Sequence, residues 1–111
     1  MKQLLLSECA GSTDQQIREW ICSEFQIDES RLNEYEILIA EHNNYDYEGD
    51  AYLLLKHRDG RLFEVHGSHC SCMGFEDQFE PELVEHQYLL SGHHEYRGNK
   101  EVADFLREYF A

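Results

Sequence analysis

The chain has 111 residues, with 9 Lys and Arg against 23 Asp and Glu, for a formal charge of −14. A surface this acidic repels phosphates and anionic lipid head groups at long range, which argues against a direct nucleic-acid or membrane binder. With 41% hydrophobic residues, among them one Trp, seven Tyr and six Phe, the chain has the apolar material for a single folded domain spanning residues 1–111.

The apolar run near the start, Leu4-Leu5-Leu6, stops at Ser7-Glu8. A signal peptide needs roughly 7–15 apolar residues and a membrane span about 20, so a soluble, cytosolic protein is expected. Ser12-Thr13-Asp14-Gln15 has the form of a capping box, with Ser12 as N-cap and Gln15 reaching back to it. Ile17, Trp20, Ile21 and Phe25 follow at three-or-four spacing, which predicts an amphipathic helix ending near Phe25 or Gln26. Asp28-Glu29-Ser30-Arg31 can cap a short turn, and Tyr35 to Glu41 changes to strand character with Tyr35, Ile37 and Ile39 alternating. The polar stretch from His42 to Asp50 reads as a loop or irregular connection.

Asp59-Gly60 between two apolar runs predicts a hairpin with a type I′ turn. With Arg58 opposite Arg61, Leu54 faces Val65 and Lys56 faces Phe63, so Tyr52, Leu54, Phe63 and Val65 share one face. Leu53, Leu55 and Leu62 take the other face with His57, Glu64 and His66, a mixed surface that a helix would partly cover. Gly67 to Gly74 breaks the periodicity and reads as a tight loop. Pro81 can begin a helix running to Leu90, although Val84 to Tyr88 fits a strand equally well. Gly92 to Gly98 is a loop, and Asn99 caps a last helix carrying Val102, Phe105, Leu106, Tyr109 and Phe110 on one face. The fold class expected is α+β: a small antiparallel sheet with an Asp-Gly hairpin, flanked by N- and C-terminal amphipathic helices.

Chemistry is densest at His66, His69, Cys70 and Cys72. Zinc takes four nitrogen or sulfur ligands, and these four residues at a strand end are the candidate set for a structural zinc site. The Cys-x-Cys spacing lacks a second pair, so a loop with buried thiols and hydrogen-bonded histidines explains the same residues. Cys70 beside His69 is the sole candidate for a thiol-dependent enzyme, with no third orienting group marked. Cys9 and Cys22 read as ordinary reduced thiols, and His93-His94 as a surface pair. Asp46, Glu48 and Asp50 alternate as a calcium loop would, but Ala51 stands where the pattern needs Gly and His57 where it needs Glu. No catalytic residue is assigned.

The excess charge is segregated. From Asp28 to Asp50 there are eight acids and one base, and from Phe75 to Glu95 six acids and no base. Carboxylates interleaved with aromatic residues can present spaced negative charge and anchors to a basic groove, competing with nucleic acid for it. The candidate partner-binding residues are Glu34, Glu36, Tyr45, Asp46, Tyr47, Glu48, Asp50, Glu76, Asp77, Phe79 and Glu80. A merely solubilising role explains the same charge.

The stretch from Tyr45 to Glu82 carries Tyr47-x-Gly49, Asp59-Gly60-x-Leu62-Phe63-Glu64-Val65-x-Gly67-Ser68-His69-Cys70-Ser71-Cys72 and Gln78-Phe79-Glu80-Pro81-Glu82. It resembles small acidic proteins of phages, prophages and bacteria that share the Gly-Ser-His-Cys-Ser-Cys segment. The resemblance spans about a third of the chain. It brings no activity or binding residue with it, and implies a setting in which small acidic proteins act as anti-CRISPR or anti-restriction inhibitors. The expectation is a non-enzymatic, DNA-mimic-like protein whose partner is a basic host protein, with a zinc-binding domain as the alternative and a thiol-dependent enzyme third.

Overall fold

In the computed structural model, which describes residues 3–44, 48–70, 74–91 and 100–110, the first helix, α1 (Asp14–Phe25), starts one residue later than Ser12 would place it. Thr13 is the N-cap: its hydroxyl accepts from the Gln16 N–H at 3.1 Å, and the Gln16 side chain accepts from the Thr13 N–H at 2.9 Å. Ser12 and Thr13 each have a Gln three residues on, so both frames satisfy the capping pattern. Gly11, two residues before the cap, takes the positive φ of +83° that the turn into α1 requires. Ile17, Ile21 and Phe25 are buried as the spacing requires.

Five strands form one mixed sheet in the order β1-β2-β3-β4-β5: β1 (Leu4–Ser7), β2 (Tyr35–Asn44), β3 (Glu48–His57), β4 (Leu62–Cys70) and β5 (Glu82–Val84). Strand β1 runs parallel to β2, a pairing that needs a long crossover, and α1 provides it; the other pairs are antiparallel. A 3-10 turn at Glu29–Arg31 is capped by Asp28, which accepts from the Ser30 N–H. After β5 come a short helix, α2 (His86–Leu89), and the C-terminal helix, α3 (Lys100–Tyr109). The region after Pro81 is thus a strand and then a helix, while Asn99 lies outside the described residues.

Two expected loops are largely strand. Residues 42–44 continue β2, residues 48–50 begin β3, and Gly67-Ser68-His69-Cys70 completes β4 opposite Glu48 to Ala51. Backbone pairing between long antiparallel neighbours carries these polar residues into the ladder despite their weak strand propensity.

The hairpin register is also shifted by one. Leu54 stands opposite Glu64, Lys56 opposite Leu62 and Tyr52 opposite His66. The loop has three residues, Arg58-Asp59-Gly60, closed by Gly60 N–H to His57 C=O at 2.8 Å and His57 N–H to Arg61 C=O at 2.8 Å. With Gly60 at φ +96°, this is a turn followed by a left-handed glycine rather than a two-residue type I′ turn. A one-residue slip moves a whole strand to the other face. Tyr52, Leu54, Leu62, Glu64 and His66 therefore share one side, and Leu53, Leu55, Phe63 and Val65 the other.

Both sides are covered. Under α1 lie Ile37, Ala40, Leu53, Leu55 and Val65, joined by Phe75 and Phe79 from the segment after β4. The opposite side packs Leu38, Ile39, Leu54, Leu62 and Leu89 against Val102, Phe105 and Leu106 of α3. Strand β2 carries a bulge: Ile37 pairs with Leu55 and Ile39 with Leu54, leaving Leu38 as the extra residue. Leu38 and Ile39, adjacent in sequence, both join the α3-side cluster and are fully buried.

Candidate functional site

Alternation along β4 separates the two histidines of the expected zinc set. His66 contacts the Tyr52 ring on the α3 side, with centroids 5.2 Å apart, whereas His69 meets Phe75 on the α1 side at 4.7 Å. Three positions along a strand put side chains on opposite faces, so His66 and His69 do not converge on one ion. Cys72 and the Cys70 side chain lie outside the described residues, as do His93 and His94. Among the described residues no three His, Cys, Asp or Glu groups are placed to hold a metal.

The acidic candidates fall on two neighbouring regions. Glu34 is exposed and 3.0 Å from the His57 ring nitrogen, Glu36 is half-buried across from Lys56, and Asp50 accepts from the Asn43 amide at 2.8 Å. Glu48 is exposed at the start of β3; Tyr45, Asp46 and Tyr47 lie outside the described residues. Glu76, Asp77 and Glu80 are exposed on the segment that follows β4. Phe79 differs from the expectation of a surface anchor. It is 5% exposed and packs edge-on to Phe25, because the chain must fill the end of α1 at this point.

Arg31, the only base between Asp28 and Asp50, joins the two regions. Its guanidinium sits 4.9 Å over the Phe79 ring and donates to the Phe79 carbonyl at 3.3 Å. Other cations are likewise engaged inside the molecule. Arg18 donates to Asp14 and to the carbonyls of Leu32 and Tyr35, Arg61 pairs with Asp59, and Lys100 and Arg107 both reach Asp104. With 23 acids against 9 bases, the carboxylates of the two acidic segments dominate the outward field, and the exposed Arg58 at the hairpin tip is an exception to it.

A carboxylate that no sequence motif marks lies deeper. Glu64 is 4% exposed; the Tyr52 hydroxyl donates to its Oε2 at 2.5 Å, and the His66 Nε2 lies 3.5 Å from its Oε1. Burial, then the Glu64 charge, pushes the Tyr52 phenol far above its usual range, so it stays protonated and available as a donor. Glu64 also lines a groove of about 510 Å³ with Glu82, Leu83, Val84, Glu85, Gln87 and Tyr88. The available signal was the hairpin register: a three-residue loop places Tyr52 and Glu64 diagonally on one face.

Burial, then the charges of Glu41 and Glu8, pushes the Cys9 thiol up to about 11, the opposite of what a nucleophile requires. No helix among the described residues is long and apolar enough to cross a membrane. The molecule is an α+β protein in which one mixed sheet is covered on both faces and the acidic residues flank its hairpin. No protein-family model, curated protein or solved structure matches the chain.

Proposed function

We propose that this chain is a small acidic interaction protein of phage type, acting in the cytosol as an inhibitor that occupies a basic surface of a nucleic-acid-binding or defence protein. The anti-CRISPR and anti-restriction settings implied by the Gly-Ser-His-Cys-Ser-Cys resemblance fit this role, and no catalysis is required for it. The observation that carries the reading is the disposition of charge. Arg18, Arg31 and Arg61 are engaged by internal partners, while Glu34, Glu48, Glu76, Asp77 and Glu80 stay exposed. A field of one sign speeds encounter with a basic groove and competes with the phosphates that normally fill it.

The test is capture of binding proteins from a bacterial lysate on the immobilised chain at low and high salt. Recovery of a basic nucleic-acid-binding protein that releases as screening rises supports the proposal. Unchanged recovery and salt dependence with Glu48, Asp50, Glu76 and Asp77 all replaced by Lys would refute it.

A further inference from the structure

Strand β5 ends the sheet, and its central residue Leu83 is 61% exposed even though its register partner, Phe63, is half-buried. Just beyond it, α2 exposes Tyr88, at 41%. The groove between these two elements is floored by Glu64 and flanked by Glu82 and Glu85, with neither Lys nor Arg among its described lining residues. Glu82 stands directly opposite Glu64 in the β4–β5 ladder. Like charges facing each other across a ladder destabilise a sheet. The buried Glu64 carboxylate is engaged by Tyr52 and His66, whereas Glu82 and Glu85 are exposed and suit a cation arriving from outside.

We infer that the β5–α2 groove is the docking site for a basic segment of a partner protein, one that carries Lys or Arg next to an apolar residue. The cationic side chain enters between Glu82 and Glu85 above Glu64 and lays its stem on Tyr88, while the apolar neighbour, pointing to the other side of the strand, covers Leu83. This rests on the proposed function and deepens it, by naming the anchor point and the chemistry of what fills it. A second copy of this chain is a poor occupant, because each copy carries a charge of −14 and the groove itself is acidic. The edge position of β5 lets an extended segment run alongside it.

The test is an amide-shift titration of the full chain by NMR with the acetylated, amidated peptide Arg-Leu-Arg-Leu-Arg, with a Glu-Leu-Glu-Leu-Glu peptide as control. Saturable shifts centred on Leu83, Glu85 and Tyr88 with the Arg peptide alone are expected, as is a weakening of about tenfold or more in a Glu82→Gln/Glu85→Gln variant. Both residues are exposed, so the variant keeps its fold. Shifts spread evenly over the acidic surface, equal binding of the Glu peptide, or an unaffected double variant would each overturn the inference. The two proposals fail separately: salt-sensitive capture that ignores the double variant removes the groove alone, whereas groove-centred peptide binding without any captured basic protein removes the inhibitor reading alone.

Discussion

The side-chain amide of Gln78 holds both backbone groups of Ser68, donating to its carbonyl and accepting from its N–H, each at 2.7 Å. Strand β5 pairs with β4 only from Leu62 to Glu64, so further along the outer edge of β4 a glutamine takes the position a strand would fill. An open edge is a template for pairing with other chains, and a side-chain plug blocks it. Gln78→Leu keeps the bulk and removes both bonds, at a cost of about 1 kcal/mol. Urea unfolding should show a lower midpoint, and the Ser68 amide should exchange its hydrogen faster. An unchanged exchange rate would mean the plug does not protect the edge.

Tyr52 and Glu64 form the other polar pair on which stability depends. Tyr52→Phe leaves a buried carboxylate oxygen short of its donor, and should cost about 1–3 kcal/mol in chemical denaturation. A Tyr52→Phe/Glu64→Leu double variant should regain most of that loss, since an apolar pair of similar shape needs no donor. If the double variant is less stable than the single one, the Glu64 carboxylate has further bonds that outweigh the hydroxyl.

Gly67 is set by close approach rather than by its backbone angles. A Cβ placed there would lie 2.7 Å from the Phe75 ring, which is itself fully buried and stacked on Phe25 at 5.1 Å. With Phe75 held in this way, Gly67→Ala should destabilise the fold by about 1–3 kcal/mol. Adding Phe75→Leu relieves the clash, so the two changes should cost less together than the sum of their separate effects, as a double-mutant cycle measures.

Stability should also depend on His42, whose ring is tilted against that of Trp20 with centroids 4.9 Å apart. Its burial, aided by His69, lowers its pKa below the ordinary 6.5, against the raising influence of Glu24, Glu8 and Asp50. A depressed basic group means that the unfolded chain takes up a proton first. The His42 contribution is therefore complete above about pH 6.5 and is lost as the pH falls towards the folded-state value. Urea midpoints at neutral and mildly acid pH should converge between wild type and His42→Gln as acid is added. Parallel pH profiles would remove His42 as the cause.

Much of the fold was legible from periodicity. Ile17, Ile21 and Phe25 mark α1, and Val102, Phe105 and Leu106 mark α3, because each helix buries one stripe. Strand β1 was hidden: with helices covering both faces of the sheet, Leu4, Leu5 and Leu6 are all needed, and no alternation results. The hairpin was visible but its loop length was not, and that single residue of register decided which face carried Glu64. His66 and His69 were legible as metal-ligating residue types, yet only the length of β4 shows that they point apart. Phe79 looked like a surface anchor because its neighbours are acidic, although its burial depends on the distant Phe25 and Arg31.

The bulge at Leu38 sets how this sheet tolerates changes in length. Loss of a residue from an evenly alternating strand exchanges the faces of everything beyond the cut. Loss of Leu38 instead joins Ile37, which faces α1, to Ile39, which faces α3, and restores even alternation with every other side chain left on its own face. A chain lacking Leu38 should melt cooperatively with one buried leucine fewer, whereas one lacking Leu54 should not fold, a contrast that thermal melts followed by circular dichroism can read. Position 38 is thus where a one-codon deletion can pass through the middle of the sheet without exchanging its faces, the α3 side giving up Leu38 alone.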